Sequence, residues 1–142
     1  MLKKIYNFIK YNEHKKMTIL TYIYARKYKN QVWSVEAKQF ETLWGKYKEQ
    51  SPPVDTVENY RYAREVSYCV NQVCGKTKDK CLVRALTAQK LMSKKKIKTT
   101  LYLGCKPDEN GKIDAHAWLR CGEVYITGGN GEGYAVVAYF LK

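Results

Sequence analysis

Apolar residues recur every three or four positions through the first part of the chain, and beyond residue 99 they begin to alternate with polar ones. Leu2, Ile5, Phe8 and Ile9 sit at helical spacing with lysines between them. A second helix is predicted from Thr18 to Tyr28, with Ile19, Tyr22, Ile23 and Arg26 along one stripe. A third is predicted over Ser34 to Glu49, with Ser34 as N-cap and Ala37, Phe40, Trp44 and Tyr47 as its apolar face. Residues 1–50 thus form a helical N-terminal part. Ser51-Pro52-Pro53 breaks the chain between elements rather than between domains.

Residues 51–142 open with another predicted helix, Thr56 to Val73, bearing Val57, Tyr60, Ala63, Arg64, Ser67 and Tyr68 at periodic positions. Asp79 is a natural N-cap for the segment Cys81 to Met92, in which Leu82, Ala85, Leu86 and Gln89 share a face. The lysines between Ser93 and Lys98 suit the negative end of that helix. Four β-rich runs follow: Thr99 to Cys105, Ala115 to Cys121, Glu123 to Thr127 and Tyr134 to Phe140. Turn chemistry at Asn110-Gly111, Gly122-Glu123 and Gly128-Gly129-Asn130-Gly131 connects them. Helices first and an antiparallel meander afterwards give an α+β fold, one domain over residues 1–142, with the Cys81 helix laid on the sheet.

The length of 142 residues fits one core, and 45% apolar with 27% charged residues is the balance of a globular chain. No run approaches the roughly 20 apolar residues of a membrane span, and lysines interrupt any secretory signal at the N-terminus. A cytoplasmic protein without an integral membrane segment is expected. Five cysteines, an odd number, argue against a disulfide framework, and without a C-x-x-C pair there is no zinc signature. The net charge of +13 is concentrated in residues 1–100, which hold 22 Lys and Arg against 8 Asp and Glu. Such a field favours an acidic partner or is simply a solvated face. The first helix, basic and amphipathic, is expected to pack on the domain or a partner, with a membrane surface as the alternative.

Cys81 falls in the first turn of its helix, where unpaired amides and the positive dipole end favour an anion. Thiols so placed ionise more readily, and the thiolate is the nucleophile. Lys78 and Lys80 add positive potential, and the same amides would serve an oxyanion. His116 stands in Asp114-Ala115-His116-Ala117-Trp118, on a strand downstream of the cysteine, the order in which cysteine–histidine sites are assembled. It would take the thiol proton and return it to a leaving amine. Pairing across Gly122-Glu123 sets Cys121 opposite Val124, Trp118 opposite Thr127 and His116 opposite Gly129. Thr127 would then share the face of His116 at roughly 7 Å. Either Thr127 or Asp114 would orient the ring.

The motif Cys81-Leu82-Val83-Arg84-Ala85-Leu86, a strand ending in Gly104, and Ala115-His116-Ala117-Trp118-Leu119 together resemble the leader peptidases of lasso-peptide biosynthesis. These are papain/transglutaminase-like cysteine proteases. The resemblance covers residues 55–140 and implies a catalytic helix on an antiparallel sheet, with Cys81 and His116 in the catalytic roles. It implies removal of the leader from a ribosomally made precursor peptide, before an ATP-dependent cyclase forms the macrolactam. A separate leader-binding protein (a RiPP recognition element) is the implied partner, since the chain has no spare length for such a domain. No cofactor, metal or nucleic acid is implied. The family often has Asn or Asp near the position of Thr127-Gly128, so the third member of the site does not carry over. Two other functions fit the same residues: an acyltransferase on the Cys–His scaffold, and a non-catalytic basic binding module.

Overall fold

A computed structural model describes residues 1–75 and 80–142. Five helices pack with a five-stranded antiparallel sheet. The helices are α1 (Leu2–Tyr11), α2 (Lys15–Gln31), α3 (Phe40–Trp44), α4 (Val57–Cys74) and α5 (Cys81–Lys94). The strands are β1 (Lys46–Tyr47), β2 (Thr100–Pro107), β3 (Ile113–Cys121), β4 (Val124–Thr127) and β5 (Ala135–Leu141), in the order β1-β5-β2-β3-β4.

The core is built around α5. Val83, Ala85, Leu86, Thr87, Ala88, Gln89, Leu91 and Met92 are all buried, so the helix is enclosed on nearly every side rather than along one face. The sheet covers it with Leu101, Leu119, Ile126 and Phe140, and α4 contributes Ala63, Val66, Val70 and Val73. The helix predicted from Thr56 begins at Val57, and Thr56 caps it, accepting a hydrogen bond from the Asn59 amide at 3.2 Å. The Asp79 cap predicted for α5 lies outside the described residues; the residue directly before the helix is Lys80.

Several expectations are corrected. On α4 the expected stripe is not the packed one: of its residues only Ala63 is buried, Val57 and Tyr68 are exposed, and Val66, Cys69, Val70 and Val73 take the core. On α2 the stripe Ile19, Tyr22, Ile23 is exposed, and the packed face is Met17, Leu20, Thr21, Tyr24, Ala25 and Tyr28. That set also has helical spacing, and its small members Thr21 and Ala25 let α2 close on its neighbours, which wins over hydrophobicity alone. The predicted helix over Ser34 to Glu49 is a single 3-10 turn, Ala37–Gln39, running into α3. Glu36 and Gln39 form its capping box, so Ser34 is not the cap. Gly45 ends α3 with φ at +112°, where a Cβ would run into the Leu141 carbonyl, and Tyr47 goes to a strand beside β5.

The meander is broken as well. β5 joins the far side of β2 instead of following β4. The outer side of β4 meets α4, whose Ser67 hydroxyl donates to the Ile126 carbonyl at 2.7 Å. Finally, α1 buries none of its residues; it only borders a groove with α2 and α4 and adds nothing to the core.

The segment after the helical front is bonded onto the sheet. The Ser51 amide donates to Thr100 Oγ1 at 2.8 Å, and the Arg120 guanidinium donates to the Gly122 carbonyl at 2.6 Å and the Ser51 carbonyl at 3.3 Å. Cys121 Sγ donates to Asp55 Oδ2 at 3.4 Å. Burial would raise the Asp55 carboxyl, but hydrogen bonds from the Thr56 amide, Asn59 and Cys121 hold it below its usual value of 3.8. The same contact works the other way on the cysteine: burial first, then the bond to Asp55 and its charge, pushes the Cys121 thiol up to about 12. No helix among the described residues is long and apolar enough to cross a membrane.

Candidate active site

Cys81 is the first residue of α5 and is half-buried at the edge of the core. The first amides of any helix lack a partner within it, so the thiol stands beside free donors at the positive end of a helix of 14 residues. Lys80, next to it, lays its ammonium over the Trp33 ring at 3.7 Å from the centroid. Lys78 lies outside the described residues.

His116 sits on β3 opposite Gly104 of β2. Its neighbours in the alternation, Ala117 and Leu119, line the core, so His116 points to the other face along with Trp118. Ring contacts hold it there: Trp118 at 5.7 Å and Tyr134 at 4.9 Å between centroids. Gly104 is what makes space, since a Cβ there would come within 2.8 Å of the Trp118 ring and 3.0 Å of Tyr134 Cβ.

The decisive contact on the imidazole is made by the main chain. His116 Nε2 lies 2.7 Å from the carbonyl oxygen of Gly128. A carbonyl can only accept, so Nε2 carries the proton and donates, and in the neutral ring Nδ1 is left with a free lone pair. The Gly128 carbonyl is held by the loop that follows β4, which lies on the buried Trp118. Gly131 rests on the indole so closely that a Cβ would enter the ring, and its φ of +71° is glycine's own territory.

Neither residue expected to orient the ring does so by a hydrogen bond. Cys121 does pair with Val124, but an irregularity between Leu119 and Arg120 shifts the register, so Thr127 stands opposite Leu119 instead of Trp118. That one-residue slip turns Thr127 to the core face, away from His116. Its Oγ1 is buried without a hydrogen-bond partner. Asp114 shares the face of His116 but accepts from the Tyr134 hydroxyl at 2.7 Å.

Tyr134 ties the parts together. The bond to Asp114 comes first, followed by burial and the charges of Asp114 and Cys81, and together they raise the Tyr134 hydroxyl above its usual pKa. The ring whose hydroxyl Asp114 holds packs against His116. Among the described residues no hydrogen bond joins Cys81 to His116; pairs of this kind commonly tighten only when substrate is bound.

Residues 32–139 match the transglutaminase-like superfamily. The chain belongs to that superfamily. Transglutaminase-like proteins usually act as cysteine proteases or transferases. The match takes in α3 to nearly the end of β5 and leaves α1 and α2 outside. No curated protein and no solved structure matches the chain.

Sequence reasoning missed Gly128 and Tyr134. A backbone acceptor has no residue-type signal, although the run Gly128-Gly129-Asn130-Gly131-Glu132-Gly133 does mark a segment that must approach something closely.

Proposed function

We propose that this transglutaminase-like protein is a cysteine peptidase that removes the leader from a ribosomally made lasso precursor. Cys81 is its nucleophile and His116 its general base. The Gly128 carbonyl replaces Thr127 as the group that orients the ring. The observation that carries the reading is the contact of that carbonyl with His116 Nε2, which leaves Nδ1 to accept a proton.

The thiol of Cys81 passes its proton to His116 Nδ1 and the sulfur attacks the carbonyl carbon of the scissile bond. Free amides at the start of α5 receive the oxyanion. As the tetrahedral species collapses, the C–N bond breaks and the core peptide leaves as an amine, carrying the proton from His116. Water then gives a proton to His116 and attacks the thioester, releasing the leader carboxylate and the thiol. The reaction takes place in the cytoplasm. A separate leader-binding protein delivers the precursor, and an ATP-dependent cyclase acts afterwards.

The test is to mix the chain with a lasso precursor and its leader-binding protein and weigh the products. A leader fragment is expected, with Cys81→Ala slower by at least about 10³-fold and His116→Ala by about 10² to 10⁴. Cleavage by Cys81→Ala at the wild-type rate would overturn the assignment. Adding an amine separates hydrolysis from acyl transfer, because a peptidase leaves a free leader carboxylate.

A further inference from the structure

The helix α1 presents its apolar side to solvent. Leu2 is 84% exposed, Ile5 48%, Tyr6 57% and Ile9 55%, and no residue of the helix is buried. A helix normally turns this side inward. Here the side toward the protein is formed by Asn7, Phe8 and Tyr11, which line a groove of about 730 Å³ shared with Tyr22 of α2 and Tyr68 and Cys69 of α4. The outward side is a ridge, not a cleft.

The lysines are arranged around that ridge. At 100° per residue, Met1, Leu2, Ile5, Tyr6 and Ile9 occupy one outward arc. Lys10 and Lys3 follow Tyr6 along one border of the arc, and Lys4 is set beyond Phe8 past the other. The Lys10 ammonium lies 5.5 Å from the Tyr6 ring centroid, at the seam between apolar and polar sides. α2 carries a further exposed stripe, Ile19, Tyr22 and Ile23. Residues 1–30 hold eight Lys and Arg against one acidic residue, Glu13.

We propose that α1 docks the protein on an anionic lipid surface, with Leu2, Ile5, Tyr6 and Ile9 in the acyl–headgroup boundary and Lys3, Lys4 and Lys10 on lipid phosphates. A bilayer suits both observations at once. It is flat enough to receive a ridge, and its negative potential complements the long lysines that flank the arc, Lys10 and Lys3 beside Tyr6 and Lys4 farther round. An acidic peptide would satisfy the lysines but offers no surface for an exposed convex apolar face. This surface is separate from the Cys81 site and stands or falls independently of the peptidase reading.

Co-sedimentation of the full chain with phosphatidylglycerol–phosphatidylcholine vesicles tests it, against pure phosphatidylcholine vesicles. Binding is expected to the anionic vesicles only, and to weaken as salt rises. Ile5→Glu with Ile9→Glu should abolish it. Lys3→Gln with Lys4→Gln and Lys10→Gln should lower affinity by about two orders of magnitude. Because α1 buries nothing, both variants should keep the wild-type thermal midpoint, which circular dichroism checks. Three results would overturn the proposal: no sedimentation with anionic vesicles, sedimentation indifferent to Ile5→Glu with Ile9→Glu, or a lipid-free dimer that this double variant dissolves. The last would assign the ridge to a second copy.

Discussion

A histidine that donates from Nε2 to a backbone carbonyl is fixed as one tautomer, and that choice decides which nitrogen can act as a base. In the resting enzyme, ¹⁵N NMR of His116 should show the proton on Nε2; a ring protonated on Nδ1 alone would contradict the Gly128 contact. Cys81 and His116 were legible as candidates because each residue type is out of place in its surroundings: a thiol opening a strong helix, an imidazole on an apolar strand. Counting residues back from a two-residue turn misplaces Thr127. An irregularity at Leu119 and Arg120 adds a position to β4, and residue counting cannot detect such a slip. Gly128 acts through an atom every residue possesses, so nothing in its identity announces the role.

Among the elements, the glycine loop after β4 carries the most functional weight. It sits on Trp118 and delivers the Gly128 carbonyl to His116. Gly131→Ala adds a methyl group that meets the indole and forces a left-handed residue, so the loop must lift. The expected result is a loss of about 10- to 100-fold in kcat with a smaller change in KM, since an ångström of misplacement carries a cost of that order. An unchanged kcat would show that the loop does not position the base. The existence of α4, α5 and strands β2 to β5 followed from periodicity, but the buried faces of the two helices did not: α4 buries Val66, Val70 and Val73 while Val57 and Tyr68 stay exposed, and α5 is enclosed on nearly every side. The extent of the third helix did not follow either, because Gly45 faces the Leu141 carbonyl, a neighbour nearly one hundred residues away in sequence. The packed face of α2 was missed for a related reason, since Thr21 and Ala25 matter for their small size.

For the molecule as a whole, the Cys121–Asp55 contact links the loop before α4 to the end of β3 and gives stability a pH profile at both limits. Asp55 has a lowered folded pKa, so its contribution is present above about 4 and lost as pH falls through the lowered value. Cys121, raised from 9.0 to about 12, contributes fully below pH 9 and loses that contribution as pH climbs toward 12. Denaturant midpoints should therefore decline at both ends, and Asp55→Asn should flatten the acid limb; an acid limb unchanged by that substitution would refute the carboxylate's role. In the proposed reaction, the uneven basic charge would attract an acidic leader or its carrier over long range. Leader association should weaken between about 0.1 and 1 M salt, and a flat response would exclude the electrostatic route. The central claim, however, concerns one covalent bond. Acid-quenching the enzyme during turnover of a lasso precursor and mapping its mass should find the leader joined as a thioester to Cys81, and no such adduct in Cys81→Ala. An adduct on Cys69, Cys74, Cys105 or Cys121, or leader release by the Cys81→Ala protein at full speed, would contradict it.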